Sequence, residues 1–153
     1  MRKVGLAVVG CGWGSSDLYG PFFRYLENGA VVAAMDIDRE RAERWAERAG
    51  APKVCTELDA VISDPAVEGV LILTPPHLHA EQAERIARSG KHVYCEKPMA
   101  RTIGEAARIV NACRDHAVLL QVAFMKRFNR SFQRAKQLIE DGAIGEPFEM
   151  RAT

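Results

Sequence analysis

Val4-Gly5-Leu6-Ala7-Val8-Val9-Gly10-Cys11-Gly12-Trp13-Gly14 is the stretch that decides the fold. Residues 4–9 form an unbroken apolar run with β-branched members, and a cluster of glycines halts it, as when a buried strand enters a tight turn. Strands of a parallel sheet read this way because helices cover both faces, so no solvent side imposes alternation. A second apolar run, Val31-Val32-Ala33-Ala34-Met35, ends on Asp36. Strand, glycine turn, helix, strand and acid together make the dinucleotide-binding fingerprint, and each part has a task. Gly10 permits the turn and Gly12 lets the backbone approach a pyrophosphate. The N-terminus of the following helix offers N–H groups and partial positive charge to the phosphates. Asp36 is placed to accept from the hydroxyls of an adenine ribose.

The fingerprint is imperfect. Ser15 stands at the third glycine position, and Gly20-Pro21 interrupts the helix that should follow. Proline inside a helix costs about 3 kcal/mol but is tolerated at the first helical position. A short turn over residues 14–19 and a helix over 21–28 are therefore expected. Taken alone, the loop also admits a glycine-rich turn that holds no ligand; Asp36 at the strand tip favours the ligand.

At 153 residues the chain suits a domain that buries about two-thirds of its unfolded surface. Lys and Arg number 21 against 20 Asp and Glu, so no net field draws the chain to nucleic acid or a membrane surface. Cys11, Cys55, Cys95 and Cys113 are widely spaced without a C-x-x-C pair, which fits reduced thiols better than a disulfide framework or a zinc site. His77 and His79 lack a nearby carboxylate or cysteine set, so no metal site is expected. With no leader-like apolar segment and no apolar run of about 18 residues, a soluble, cytoplasmic protein is expected.

Beyond Asp36, Asp38 reads as an N-cap for a helix whose Ala42, Trp45, Ala46 and Ala49 follow helical spacing and which Gly50 ends. A strand at Lys53 to Cys55 follows. A helix from Leu58 to Ile62 comes next, opened by Thr56 with Asp59 and stopped by Asp64-Pro65. Gly69 to Leu73 is another apolar strand, and it delivers Thr74-Pro75-Pro76-His77-Leu78-His79 at its C-terminal end, where doubly wound sheets bind ligands. A helix from Glu81 to Ser89, a strand His92 to Cys95 and the segment Glu96-Lys97-Pro98 come next. Thr102 with Glu105 forms a capping box for a helix with Ile103, Ala106, Ala107, Val110 and Cys113 on one face. A sixth strand spans Val118 to Val122. This alternation predicts an α/β fold, a doubly wound, mostly parallel sheet with helices on both faces, over residues 1–122.

Residues 123–153 differ. Phe128, Phe132, Ala135 and Ile139 stripe a helix as core positions, and Pro147 to Thr153 alternates with period two like the opening strand of an antiparallel sheet. That segment is expected to be a linker helix and the first strand of a second, substrate domain otherwise absent. An unpaired edge there predicts homo-oligomers paired through the C-terminal strand.

Gly10-Cys11-Gly12, Asp36, Thr74-Pro75-Pro76 with His79, Cys95-Glu96-Lys97-Pro98, and Gln121 to Asn129 with Gly145-Glu146-Pro147 together resemble the glucose-fructose oxidoreductase, inositol dehydrogenase and MocA family. The inositol 2-dehydrogenase branch is the most similar. The resemblance covers the entire chain and implies a Rossmann domain of an NAD(P)-dependent oxidoreductase acting on sugars, cyclitols or related polyols. It implies Lys97 as the active-site lysine that holds the substrate hydroxyl and assists proton transfer. It also implies cofactor contacts at Gly10, Gly12, Trp13, Asp36, Thr74, Pro75, His79, Glu96, Lys97 and Arg127, and a Lys97-Pro98 peptide that is often cis in relatives. Relatives are much longer, with a catalytic aspartate and histidine in a second domain that have no counterpart here, so the chain alone is expected to be inactive.

Each site residue also has a plainer reading. Lys97 can be a surface lysine beside a turn proline, and Trp13 can pack on the turn instead of meeting a cofactor. A non-catalytic dinucleotide-binding or regulatory module is the alternative to a dehydrogenase. Asp36 predicts NAD rather than NADP, because its carboxylate accepts from a ribose diol and repels a 2′-phosphate; Arg39 and Arg41 nearby soften that preference.

Overall fold

The computed structural model describes residues 2–13, 15, 19–149 and 151. The chain divides into two compact units, residues 1–123 and 124–153. Most of the turn expected over 14–19 lies outside the described residues, Ser15 and Tyr19 excepted.

In the first unit, β1 (Val4–Val9), β2 (Gly29–Met35), β3 (Lys53–Cys55), β4 (Gly69–Ile72), β5 (His92–Cys95) and β6 (Leu120–Val122) pair in parallel in the order β3-β2-β1-β4-β5-β6. This is the doubly wound Rossmann arrangement, and the strand order reverses between β1 and β4. The helices are α1 (Arg39–Ala49), α2 (Leu58–Ile62), α3 (Pro76–Arg88) and α4 (Ile103–Asp115), with a 3-10 helix at Gly20–Tyr25.

The pleat explains the apolar runs. Ala7 and Val9 of β1 and Val70 and Ile72 of β4 enter one core with Ala83, Ile86, Ile109 and Cys113. The intervening Val8 and Leu71 enter another, with Ala34, Ala42, Trp45 and Ala46. Successive side chains point to opposite faces, and because both faces are covered, nearly every residue of these strands must be apolar. Helix α1 illustrates the local code. The Asp38 side chain accepts from the Arg41 N–H at its start, Gly50 closes it in the left-handed conformation with φ 76°, and the face between carries Ala42, Trp45, Ala46 and Ala49.

Several boundaries and faces differ from the sequence expectation. The helix expected over 21–28 is the short 3-10 helix. Helix α3 begins at Pro76 rather than Glu81, because Pro76 occupies the first turn and the extended Pro75 precedes it. Thr56 and Asp59 do not form a capping box; the N-cap of α2 is Glu57, without a side-chain bond. Strand β6 is shorter than Val118 to Val122. In α4, Ile109 and Cys113 face the core while Ile103 and Val110 are exposed. Thr102 fixes the helix start as expected, and the many small alanines left the choice of face open to the packing of α3.

The second unit holds a 3-10 helix, Met125–Phe128, and α5 (Arg130–Glu140), capped by the Asn129 side chain. The stripe of Phe128, Phe132, Ala135 and Ile139, expected as core, is exposed, since one helix has no second layer within this unit to bury its face. Residues 147–149 and 151 carry no strand, and 150 and 152–153 lie outside the described residues. The edge on which the expected pairing of copies rested is therefore not formed among the described residues.

Trp45 is fully buried while Trp13 is 81% exposed. Trp45→Ala should cost about 3–5 kcal/mol in urea unfolding, the scale for emptying a large aromatic site, whereas Trp13→Ala should stay within about 0.5 kcal/mol. Equal losses would contradict this core.

Candidate functional site

Because the strands run parallel, their C-terminal ends share one edge. Asp36 follows β2, Gly10 follows β1, Leu73-Thr74 follows β4 and Glu96-Lys97 follows β5, in that spatial order. Asp36 and Lys97 stand three strand spacings apart, on the order of 14 Å at about 4.8 Å each. Between them lies the point where the strand order reverses, the place at which open α/β sheets leave a crevice.

Gly10 is required by the protein itself. Its φ is +96°, and a Cβ there would stand 2.7 Å from the Thr74 amide nitrogen. Gly12 is different, because a Cβ there would meet nothing within 4 Å and no left-handed φ demands glycine. Among the described residues internal packing gives no reason for its bare backbone. The hydroxyl of the buried Ser15, at the third glycine position, donates to the Gly12 carbonyl at 3.0 Å.

The Asp36 carboxylate is buried, accepting from the Cys11 N–H at 2.8 Å and the Asp38 N–H at 3.0 Å. Each oxygen keeps a further lone pair for another donor. A cavity of about 680 Å³ opens beside Gly12, with Trp13, Arg41, Arg44 and Arg48 in its wall. Trp13 is exposed and lines this cavity. Arg41 pairs with Asp38 at 3.1 Å and Arg39 with Glu43 at 3.7 Å, so both arginines have carboxylate partners. Burial, and next the charge of Asp36, push the Cys11 thiol up to about 12, which leaves it protonated beside the glycine turn.

Thr74 is half-buried and its hydroxyl donates to the Gln82 side chain at 2.6 Å, while Pro75 is exposed on the crevice edge. His79 is 1% exposed. Its Nε2 lies 2.7 Å from the Thr74 carbonyl oxygen, and its Nδ1 lies 3.1 Å and 3.3 Å from those of Pro98 and Met99. This ring lies between two loops and is almost wholly shielded from solvent. His77 is exposed on the same helix, and among the described residues no group of three or more His, Cys, Asp or Glu is placed to hold a metal ion.

At the far end, the Lys97-Pro98 peptide is cis, and Lys97 is exposed. Glu96 is half-buried: it accepts from the Lys97 N–H on Oε2 and from the Tyr19 hydroxyl on Oε1 at 2.8 Å. Tyr19 is a site neighbour that sequence reading missed. No local pattern links positions 77 residues apart. Arg127, expected beside the nicotinamide, belongs to the second unit, where it is exposed on the 3-10 helix.

The model of an oxidoreductase family with an NAD-binding Rossmann fold, that of glucose-fructose oxidoreductase, inositol dehydrogenase and MocA, matches residues 4–124. A myo-inositol 2-dehydrogenase from Thermotoga maritima is 28% identical over 97% of this chain and 44% of its own length. Among solved structures, scyllo-inositol dehydrogenase from Lactobacillus casei with bound NAD(H) and scyllo-inositol is similar at TM-score 0.86 and 26% identity, over 94% of this chain and 43% of that one. A variant of a 3-ketoreductase from Actinomadura kijaniata, in complex with TDP-benzene and NADP, is similar at TM-score 0.87 and 28% identity, over 95% and 44%. The chain spans about two-fifths of the length of the curated relatives it matches. Among the described residues no helix is long and apolar enough to cross a membrane.

The two glycines separate by experiment. Gly10→Ala should lower stability by about 3 kcal/mol or more, from backbone strain and the clash with Thr74. Gly12→Ala should melt within about 2 °C of the wild type while NADH affinity falls roughly tenfold, the scale of one lost charge-assisted contact. Gly12→Ala with undiminished NADH affinity would remove the turn from the binding site.

Proposed function

We propose, because this chain belongs to the glucose-fructose oxidoreductase, inositol dehydrogenase and MocA family of oxidoreductases, that its first unit binds NAD and serves hydride transfer to or from a hydroxyl-bearing carbon of a sugar, cyclitol or related polyol. The observation that carries this reading is the order along the sheet edge: a buried carboxylate at one end, the open glycine turn at the switch point, and an exposed lysine at the other end. An elongated dinucleotide fits that order with its adenosine at Asp36 and its pyrophosphate over Gly12. Its nicotinamide, which supplies the hydride acceptor, then faces Thr74, Pro75 and Glu96.

The chain's own groups divide the work. Asp36 accepts from the ribose diol. Main-chain N–H groups of the glycine turn meet the phosphates. Glu96 holds the edge of the nicotinamide pocket. Lys97 points its amine at the substrate hydroxyl, positions it and takes part in moving its proton. Proton transfer by a placed side chain contributes on the order of a hundredfold or more.

The same geometry favours NAD over NADP. A 2′-phosphate would stand against a carboxylate that two N–H groups hold in place, and the neighbouring Arg39 and Arg41 are engaged by Glu43 and Asp38. Titration of the purified chain should give NADH at least roughly tenfold tighter than NADPH, and Asp36→Ser should narrow the gap. Equal or tighter NADPH binding by the wild type would defeat the assignment.

In a full-length form that carries the second domain, Lys97→Met should leave NADH affinity and melting temperature near the wild-type values while the turnover of polyols falls by about a hundredfold or more. A variant that turns over at the normal rate would take Lys97 out of the chemistry.

A further inference from the structure

We propose that Tyr19 is a positioning residue, whose phenol fixes the Glu96 carboxylate and, through it, the main chain of Lys97 at the reacting end of the crevice. The inference rests on the dinucleotide reading above and adds to it a residue from the far side of the glycine turn.

The geometry is a relay from the core to the catalytic loop. Trp45, fully buried, packs on Phe23 with ring centroids 5.5 Å apart, and Phe23 stacks on Tyr19 at 6.3 Å. Tyr94, in β5, meets the Tyr19 ring edge-on at 6.4 Å, and its hydroxyl lies 3.3 Å from that of Tyr19. A phenol braced on these sides has a fixed direction, and tyrosine loses little entropy in holding it. Its proton goes to Glu96 Oε1 at 2.8 Å, which leaves the Tyr19 oxygen to accept from Tyr94. Burial, and then the hydrogen bonds to Tyr94 and Glu96, hold the phenol far above its ordinary ionisation range, so it stays a donor.

Glu96 is thereby held at both oxygens, by Tyr19 on one and by the Lys97 N–H on the other. A carboxylate with a single donor can swing about its terminal torsion, which is broad; a donor on each oxygen stops it. Hydrogen bonds to a charged acceptor are among the strong ones. Side chains held this way keep the geometry of a reacting centre, where misplacement by about 1 Å costs on the order of a hundredfold in rate. The bond also ties the segment after the glycine turn directly to the Lys97 loop.

The test compares two ligands. NADH spans the entire crevice, whereas ADP carries only the adenosine and pyrophosphate that Asp36 and the glycine turn receive. Tyr19→Phe should weaken NADH by roughly three- to tenfold and leave ADP within about twofold. In a Glu96→Gln background, where the charged acceptor is gone, Tyr19→Phe should add less than about twofold, because coupled residues are not additive. Tyr94→Phe should leave NADH within about twofold, since its hydroxyl reaches Tyr19 and not the carboxylate. Unchanged NADH affinity in Tyr19→Phe, equal losses for ADP and NADH, additive losses in the double variant, or a loss in Tyr94→Phe as large as in Tyr19→Phe would each overturn the assignment. A wild type that binds ADP but not NADH would fail at the earlier step and remove the nicotinamide reading itself, along with this one.

Discussion

The Asp36 carboxylate, buried between the Cys11 and Asp38 amides, is the constraint on which the rest of the site depends. A carboxylate removed from water costs several kcal/mol unless donors replace the lost hydration, and here an N–H meets each oxygen. The glycine turn is thereby pinned to the tip of β2. Pinning Cys11 in turn fixes Gly10, whose left-handed backbone lets Thr74 approach to a distance that any side chain would forbid. Thr74 passes the constraint on through His79, whose ring spans the Thr74 carbonyl and those of Pro98 and Met99. The ring thus packs between the Thr74 loop and the loop that carries Lys97, with its one N–H donating to one of the two. Tyr19 and Glu96 form a second link across the same edge.

This explains why polar residues are admitted to an otherwise apolar interior. Asp36, His79 and Ser15 are buried, and each bonds to main-chain atoms of the loops at the strand ends. Lys91 is buried as well, but its amine donates to the carbonyls of Asp64 and Val67, away from that edge. Burial of a polar group therefore did not by itself mark the site; the loops it joins did.

Much of the architecture was legible in the residues. Strands covered on both faces must be apolar throughout, and β1, β2, β4 and β5 announce themselves for that reason. Asp38, Thr102 and Gly50 announce the ends of α1 and α4 through the orphaned N–H and C=O groups that a helix terminus leaves. Asp36 was legible because it terminates an apolar run. The inward face of α4 was not, since Ala106, Ala107 and Ala112 weigh little in any periodicity and Ile103 and Val110 outvoted Ile109. The 3-10 helix at Gly20–Tyr25 was read as α-helical because composition does not distinguish the two over a turn or so. The contacts of His79 with the Thr74 and Pro98 loops were not legible, and Tyr19 was invisible, because its partner lies 77 positions away and is chosen by tertiary packing alone.

The most direct test of the central claim, that one sheet edge receives a single elongated dinucleotide from Asp36 to Lys97, is an amide-proton NMR titration of the 153-residue chain with NADH. The account predicts that the amides of Cys11, Gly12, Asp38, Thr74 and Lys97 shift together along one saturable binding curve, while those of Lys53 to Cys55 on the edge strand stay in place. Saturable shifts confined to residues away from the strand ends, or shifts at Asp38 and Gly12 that never extend to Thr74 and Lys97, would contradict it.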